Sequence, residues 1–523
     1  MSKNEKMSQP KIPKEVLFVT ETLKMAQYEA FLVGGCVRDI LMGKKPEDWD
    51  IATNAGPDKV QELFPHTFYE NTFGTVGVVN DETEDESLKN IEVTTYRKEG
   101  KYSDGRRPDE IVFAKTIEED LLRRDLTINA IALDLSPEKS PRAKRGIAPV
   151  KILTDILKDI KPGYKGHLVD PYNGHRDIKD KLIRAVLEPS RRFSEDALRI
   201  MRAVRFATVL DFQIEPQTAE AIELLHMKLK DISKERIRDE FRKIIMSKRP
   251  KYGLIELKKF NLLQFIIPEL LKAEGVKQGG IHAYDVWEHS LKTVQAGAKK
   301  GFSEEIRLAA LFHDIGKPRT RRSGGKNKEW TFFGHDVVGE RVTRETLSNL
   351  KYPKEMVEKV SKLVRWHMFF SDTEEITHSA VRRMVRNVGK ENIWDLINLR
   401  VCDRIGTGRP KEEPYRLRKY KSMIEEVMRD PISVGMLKID GAMVMKVTHE
   451  TPGPKIGYIL NALLEEVLED PLLNKAEYLE KRAVEMSKMN SSKLIALSEK
   501  GKAEKQKREG EALEKIRDKN WVK

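Results

Sequence analysis

The chain has 523 residues, too many for one ordinary domain, and a length of roughly 150 residues per domain suggests three or four. Hydrophobic residues make up 39% and charged residues 34%, which supplies enough apolar content for packed cores and excludes global disorder. Lys and Arg number 96 against 83 Asp and Glu, and the net charge of +13 favours a polyanionic partner such as nucleic acid.

Two cysteines, Cys36 and Cys402, are too few for a disulfide framework or a Cys-x-x-Cys metal site. No apolar run reaches the ~18 residues that a membrane-spanning helix needs. Residues 1–13 are polar, lack the apolar segment of a signal peptide and are predicted to be a disordered arm. The sequence therefore predicts a soluble, cytoplasmic protein with no membrane partner.

Residues 14–177 show a mixed α/β pattern. Helices are predicted over 15–30 and at CVRDILMG, and strands at FLV, DWDIAT, FGTVGVV and IEVTTYR, from their alternation and β-branched content. Residues 98–110 are predicted to be a charged loop, and 136–165 an insertion. From about residue 178 helical periodicity dominates, with amphipathic helices predicted over 191–210, 216–232 and 234–246.

The segment LVGGCVRDILMG places two glycines between a predicted strand and a predicted helix. Gly34 and Gly35 would let backbone N–H groups approach a phosphate. Arg38, one turn later, would offer a charged fork to the same phosphate. A plain tight turn explains two glycines equally well, so this segment by itself leaves both alternatives open.

Asp48 and Asp50 flank Trp49 at the start of a predicted strand. The period of two puts both carboxylates on one face and the indole on the other. Glu92, on a later strand, is a third carboxylate in reach by strand geometry. Adjacent carboxylates need a cation, and oxygen ligands suit Mg²⁺ held together with substrate phosphates, the equipment of two-metal nucleotidyl transfer. A surface turn with two acids is the alternative.

Five motifs in order resemble class II tRNA nucleotidyltransferases and their bacterial poly(A) polymerase relatives: GGxVRD at 34–39, DxD at 48–50, RRDLTINA at 123–130, DPYNGHRD at 170–177 and EDALRIMR at 195–202. The resemblance implies an α+β chain, with a polymerase-β-like nucleotidyltransferase head (mixed sheet with helices) over 14–177 and an all-α neck and body over 178–275. It also implies tRNA, ATP and CTP as partners. By position in the motifs, the residues expected to bind nucleotide are Gly34, Gly35, Arg38, Arg124, Asp125, Asp196, Arg199, Arg202 and Arg205. The same motifs make Asp48 and Asp50 catalytic Mg²⁺ ligands, and strand geometry, not a motif, adds Glu92 as a third catalytic carboxylate.

Asp196 and Arg199, three residues apart on a predicted helix, would be neighbours on one face. A carboxylate accepts and a guanidinium donates, which matches the amine and ring nitrogen of C and A and rejects U and G. A surface ion pair is the alternative. SDGRRP at 103–108 resembles the flexible loop of CCA-adding and A-adding enzymes, which predicts that A-addition is within the repertoire.

Most histidines lie within 279–410. His289, His313, Asp314 and Asp403 resemble the H…HD…D ligands of the HD superfamily of metal-dependent phosphohydrolases, and His335 and His367 match the extra ligands of two-metal members. The resemblance implies an HD domain over 276–410 that holds a divalent metal of unknown identity and hydrolyses phosphate esters at RNA 3′ ends; an inactive helical scaffold is the alternative. Lys317 is predicted either to contact substrate phosphate or to be a solvated lysine.

Residues 411–474 are expected to form a helical tRNA-binding tail, in which TPGPKIG opens a helix. Residues 475–523 are predicted to be a charged helix or a disordered basic extension. The sequence thus predicts template-independent addition of the 3′ CCA of tRNA. The alternatives are a poly(A) polymerase, an A-adding enzyme, or a phosphohydrolase with an inactive head.

Overall fold

The computed structural model describes residues 12–69, 74–98, 112–137, 164–278, 283–323, 330–369, 376–409 and 411–498. They divide into two compact units. Unit one comprises Met1–Ile244 and Tyr252–Phe265, and unit two comprises Ile245–Lys251 and Ile266–Lys523. None of the described helices combines the length and apolar content needed to cross a bilayer.

Unit one is built on a seven-stranded mixed sheet with the order β3-β4-β5-β2-β1-β8-β9. Only β2 and β5 run parallel in it, and the other neighbours are antiparallel. Its strands, with the short pairs β6–β7 and β10–β11 of the same unit, are β1 (Ala30–Val33), β2 (Asp50–Thr53), β3 (Thr67–Tyr69), β4 (Thr75–Val79), β5 (Asn90–Thr95), β6 (Arg97–Lys98), β7 (Val112–Phe113), β8 (Ala132–Pro137), β9 (Tyr164–Val169), β10 (Leu182–Ile183) and β11 (Gln213–Ile214).

The helices of unit one alternate with the strands along the chain up to β9 and predominate after it. They are α1 (Lys14–Met25), α2 (Gly35–Leu41), α3 (Pro57–Leu63), α4 (Glu86–Lys89), α5 (Ile117–Leu122), α6 (Gly174–Asp180), α7 (Pro189–Glu195), α8 (Leu198–Leu210), α9 (Pro216–Leu225), α10 (Lys234–Met246) and α11 (Pro250–Lys259), the last two extending by a few residues into the segment of unit two. Helix α1 shows why they form: Val16, Val19 and Leu23 recur at helical spacing and are fully buried.

Two predictions are corrected in unit one. The helix predicted over 191–210 is two helices, because Asp196 has an extended backbone (φ −147°, ψ 106°) between α7 and α8. The predicted insertion overlaps strands at both ends, since residues 136–137 belong to β8 and 164–165 to β9. The rest of the insertion lies outside the described residues, as do residues 99–111 with the SDGRRP loop.

Where its residues are described, unit two is helical apart from one short strand pair, β12 (Arg322–Ser323) with β13 (Trp330–Thr331). Its helices are α12 (Pro268–Leu271), α13 (Val286–Lys299), α14 (Glu304–Phe312), α15 (Lys317–Thr320), α16 (His335–Asn349), α17 (Lys354–Trp366), α18 (His378–Val388), α19 (Ile393–Gly406), α20 (Tyr415–Val427), α21 (Gly441–Thr448), α22 (Pro454–Glu469), α23 (Ala476–Ser487) and α24 (Ser491–Ser498). The predicted fold class, a mixed sheet with helices followed by a helical remainder, is confirmed, except that the two-residue strand pairs β10–β11 and β12–β13 lie in the part predicted to be all-α. Helix α22 opens in the TPGPKIG segment as expected.

Candidate active sites

Three carboxylates lie at adjacent positions of two parallel strands in unit one. Asp50 opens β2 and is the register partner of Glu92 on β5, and Asp48 lies two residues before Asp50. Trp49 is fully buried, whereas Asp48 and Glu92 are exposed and Asp50 is half-buried. The predicted alternation of acids and indole across the sheet is therefore what the fold adopts.

The electrostatics of Asp50 show how closely these acids interact. Burial raises the pKa of Asp50, the charges of Asp48 and Glu92 raise it further, and Arg124 and Arg38 only partly compensate, so that it reaches about 7. A cation bound beside Asp50 would offset the repulsion from Asp48 and Glu92, so these three carboxylates are a candidate cation site. Oxygen ligands of this kind fit Mg²⁺, although within the described residues these acids do not form a set of three with ligand atoms all within 4.8 Å of one another.

Gly34 lies directly against this carboxylate cluster. Its φ of +73° is a conformation that glycine adopts without strain, and a Cβ at this position would lie 2.9 Å from Arg124 Nη1 and 3.3 Å from Asp50 Oδ2. A Cβ on Gly35 would lie 3.5 Å from Asp48 Oδ1. The fold thus brings the glycine pair, both aspartates and Arg124 into one place, which sequence separation alone did not establish.

Arg38 and Arg124 are fixed by a residue that the sequence reasoning quoted but gave no role. Arg38 Nη1 donates to the side-chain Oδ1 of Asn129 at 2.8 Å, and Arg124 Nη1 donates to the backbone oxygen of Asn129 at 3.4 Å. Arg38 also pairs with Asp39, and Arg124 with the buried Asp120. Two guanidinium groups are therefore oriented beside the carboxylates; the RRDLTINA motif was the available signal for Asn129.

The expected pairing of Asp196 with Arg199 is not what the structure has. Asp196 Oδ2 accepts from Arg236 at 2.6 Å, and its other oxygen accepts from the Leu198 backbone N–H. Arg199 is buried and pairs with Glu195 at 2.9 Å. The premise was that both residues lie on one helix, and it is wrong because the chain turns at Asp196.

Arg202 and Arg205 lie one and two turns into α8 and form a second set of contacts. Arg202 Nε donates to Asp125 at 2.5 Å, and Arg205 Nε donates to Glu240 at 2.5 Å. Burial would raise the pKa of Asp125, but the Arg202 charge and hydrogen bond outweigh it and lower that pKa to about 2. Phe206 was missed by the sequence reasoning: its ring centroid lies 3.8 Å from the guanidinium carbon of Arg205, 5.2 Å from that of Arg38 and 5.6 Å from that of Arg202.

A second centre is assembled in unit two from five helices. His289 is on α13, His313 caps the end of α14, His335 begins α16, His367 caps the end of α17 and Asp403 is on α19. All five side chains are buried or nearly so. Residues 114 positions apart thus converge, as the sequence pattern predicted.

Six residues that could ligate metal form two groups, each with its potential ligand atoms within 4.8 Å of one another: His289, His313 and Asp403, and Asp314, His335 and His367. Asp314 Oδ2 is 3.2 Å from His313 Nε2, and its other oxygen, Oδ1, is 3.5 Å from His335 Nε2. One carboxylate therefore faces both groups with a different oxygen, the arrangement of a bridging ligand.

The orientation of the imidazoles favours metal ions over a hydrogen-bonded cluster. Nδ1 of His335 lies 2.8 Å from the Phe332 carbonyl, and Nδ1 of His367 lies 2.7 Å from the Val364 carbonyl. In the tautomer that these contacts favour, both Nε2 atoms present lone pairs to each other at 3.3 Å. A cation removes that repulsion, so the donor set fits divalent metals that accept nitrogen and carboxylate ligands.

Charged neighbours keep the two acids of this centre ionised. Burial would raise the pKa of Asp314, but His313 and Lys317 hold it well below the usual range. The pKa of Asp403 is likewise lowered despite burial, by the hydrogen bond from His289 and by the Arg400 charge. Lys317 is buried, and Nζ lies 2.7 Å from Asp314 Oδ2, so the alternative of a solvated lysine is wrong.

Comparison with known families identifies three segments. The family described as "Poly A polymerase head domain" matches residues 30–153, "Probable RNA and SrmB- binding site of polymerase A" matches 211–274, and "HD domain" matches 286–407. The two candidate centres fall in the first and third of these segments, except that Asp196 and the residues of α8 lie between the first and second.

Whole-chain relatives agree with the segments. The chain is 31% identical to a CC-adding tRNA nucleotidyltransferase of Thermus thermophilus, over 86% of this chain and 92% of the relative. It is 40% identical to a CCA-adding enzyme of Lactobacillus helveticus, over 88% and 94%. The solved structure of a Bacillus stearothermophilus CCA-adding enzyme in complex with CTP is 26% identical with a TM-score of 0.65, covering 90% of this chain and 96% of that one.

Proposed function

The chain belongs to the family of tRNA nucleotidyltransferases that includes the CCA-adding enzymes, and we propose that it adds or repairs the 3′ CCA of tRNA from CTP and ATP without a template. The observation that supports this most directly is the convergence of Asp48, Asp50 and Glu92 with Gly34 and two oriented arginines. The net positive charge of the chain suits a tRNA that is bound mainly through its phosphate backbone and its shape.

In this reaction the 3′ hydroxyl of the RNA attacks the α-phosphorus of a nucleoside triphosphate, and pyrophosphate leaves. Mg²⁺ between Asp48 and Asp50 would supply Lewis-acid stabilisation of the oxygens that gain charge. Glu92 would add negative charge that favours the bound cation. Arg38 and Arg124, both hydrogen-bonded to Asn129, would bind and orient the triphosphate.

We assign the choice of C and A to Asp196 together with Arg199, Arg202 and Arg205. Asp196 accepts from donors, so an exocyclic amine of C or A suits it and the carbonyl of U or G does not. Because Arg236 already occupies one oxygen of Asp196, the base would share or displace that contact. The arginines of α8 supply the donors for the ring acceptor.

We propose a second activity for unit two: hydrolysis of phosphate esters that block RNA 3′ ends. A 2′,3′-cyclic phosphate would open by addition of water to one P–O bond, giving a monoester. Hydrolysis of a monoester would release inorganic phosphate and leave a free hydroxyl. Divalent metals held by the six residues would activate the water. Lys317, which donates to Asp314, would hold that carboxylate in position and attract the phosphate of the substrate. The freed hydroxyl is the nucleophile that the first site needs.

The test is sequencing of the products formed from CTP, ATP and a tRNA that lacks its 3′ CCA. The proposal expects growth that stops after CCA. Asp48→Ala and Asp50→Ala are expected to abolish incorporation, whereas Glu47→Ala, an exposed carboxylate of the same segment, is the matched control. Incorporation at the normal rate by the aspartate variants would refute the assigned site.

The same assay separates the alternatives. Long A tails would identify a poly(A) polymerase. Incorporation of A only onto a tRNA that already ends in CC, with none from CTP alone, would identify an A-adding enzyme. Hydrolysis that a chelator abolishes, without any nucleotide incorporation, would leave a phosphohydrolase with an inactive head.

A further inference from the structure

A cation and two aromatic side chains lie shortly before a candidate metal ligand of unit two in the chain. We define the basic–aromatic strip as Arg321, Trp330 and Phe333, which lie on and around the β12–β13 pair. Arg322 is left out because its register partner is Thr331, which puts its side chain on the other face of the pair from Trp330. Arg321 is half-buried, Trp330 is 38% exposed and Phe333 is 53% exposed. Large apolar side chains at the surface of a folded unit mark binding sites when they occur together with a specific charge pattern.

The strip is joined to the metal ligands by short contacts. Phe333 is two residues before His335, and the imidazole Nδ1 of His335 lies 2.8 Å from the carbonyl of Phe332. The ring of Phe332 also lies 5.6 Å from Nζ of Lys317, which itself contacts Asp314. The Phe333 end of the strip is therefore two residues from a candidate metal ligand, His335. Met368, which follows the ligand His367, is a further exposed apolar side chain.

Arg321 and Trp330 are arranged for a planar, anionic ligand. The guanidinium carbon of Arg321 lies 3.7 Å from the Trp330 ring centroid, so the cation covers one face of the indole. The Nε atom of Arg321 is buried and makes no hydrogen bond within the described structure. A buried donor without an acceptor costs free energy that a phosphate oxygen would recover.

We propose that this strip binds the 3′-terminal nucleotides of single-stranded RNA, with a base against Trp330 or Phe333 and a phosphate oxygen at Arg321. Proteins hold single strands by combining aromatic and cationic side chains, because every base has a stacking face and every linkage a negative charge. The inference rests on the hydrolytic activity proposed above and names its substrate class: a polynucleotide end, as opposed to a small phosphate ester.

The kinetic test compares two substrates on the full-length protein: a single-stranded RNA of about five nucleotides with a 3′-phosphate, and glycerol 2-phosphate, which has no base. Trp330→Ala is expected to raise KM for the RNA roughly tenfold and to leave glycerol 2-phosphate hydrolysis unchanged, whereas Trp330→Phe retains most RNA affinity. Tyr415→Ala removes another exposed aromatic of the same unit and is the matched control. Equal effects of Trp330→Ala on both substrates, or none on either, would overturn the proposal.

A second measurement does not require turnover. The same RNA with 5-iodouracil as its terminal base is irradiated with the wild-type protein, and the crosslinked peptide is identified by mass spectrometry. Crosslinks at Trp330 or Phe333 in a protein that hydrolyses nothing would uphold the RNA site and refute only the hydrolase. Intact hydrolysis of the RNA with crosslinks confined to other peptides would refute the strip and leave the hydrolase standing.

Discussion

The ion pair between Asp125 and Arg202 gives a prediction whose size follows from the two environments. Asp125 is 8% exposed and Arg202 33% exposed, and their closest atoms are 2.5 Å apart. Lowering the Asp125 pKa from its ordinary 3.8 to about 2 corresponds to roughly 2 kcal/mol in favour of the folded carboxylate. Arg202→Ala leaves that charge buried without its main partner, which costs about 3–5 kcal/mol.

We expect Arg202→Ala to lower the Tm of unit one by roughly 5–15 °C. Asp125→Asn should cost less, because Arg202 reaches water. Arg176→Ala, which removes an i,i+4 pair with an 80% exposed arginine, is the control and should change Tm by little. Calorimetry or intrinsic fluorescence of the purified variants measures these differences. The double variant Asp125→Asn/Arg202→Ala should recover part of the Arg202→Ala loss, since it removes the unpaired charge.

The sign of the pH dependence differs between wild type and variant. In the wild type the depressed pKa of Asp125 stabilises the fold fully above about pH 4, and this is lost as pH falls toward 2. In Arg202→Ala the largest influence opposing burial is removed, although Arg199 and Arg205 remain, so the Asp125 pKa should rise. The stability deficit of the variant relative to wild type should then shrink as the pH is lowered over an assay range of about 7.5 to about 5. A deficit that is constant over this range, together with no recovery in the double variant, would refute the reasoning.

Other predictions concern the two centres. Gly34→Ala should raise KM for CTP and ATP about tenfold through strain of ~1–2 kcal/mol and a clash with Arg124, whereas Gly43→Ala, at a similar φ with nothing within 4 Å, should leave nucleotide kinetics unchanged. Asp314→Asn should reduce phosphate release at least about a hundredfold while CTP incorporation stays normal, as paired assays on one preparation would show. Chelation should lower the Tm of unit two. Adding Mn²⁺ or Mg²⁺ at about 100 times its Kd should raise the free energy of unfolding by ~2.7 kcal/mol, and His367→Ala should weaken that response.

Much of the fold follows from local patterns. Strand alternation at Asp48, Trp49 and Asp50 predicted which side chains face the core, and the fully buried indole agrees. The ordered motifs identified the head, and the pattern of histidines and aspartates indicated six side chains that do converge in unit two. These features are readable because strand period, glycine conformation and ligand chemistry depend on residues close in sequence or on their types.

Other features were decided only by tertiary structure. The extended backbone at Asp196 breaks a helix that periodicity predicted as continuous, and it sends Asp196 to Arg236 and Arg199 to Glu195. The approach of Arg38 to the Phe206 ring depends on contacts between distant segments, as does the position of Asp314 between two histidine pairs. The amino-acid order determined which groups this protein has for nucleotide and phosphate chemistry. Tertiary packing determined which of these groups contact one another, because contacts between segments distant in sequence set the distances between their side chains.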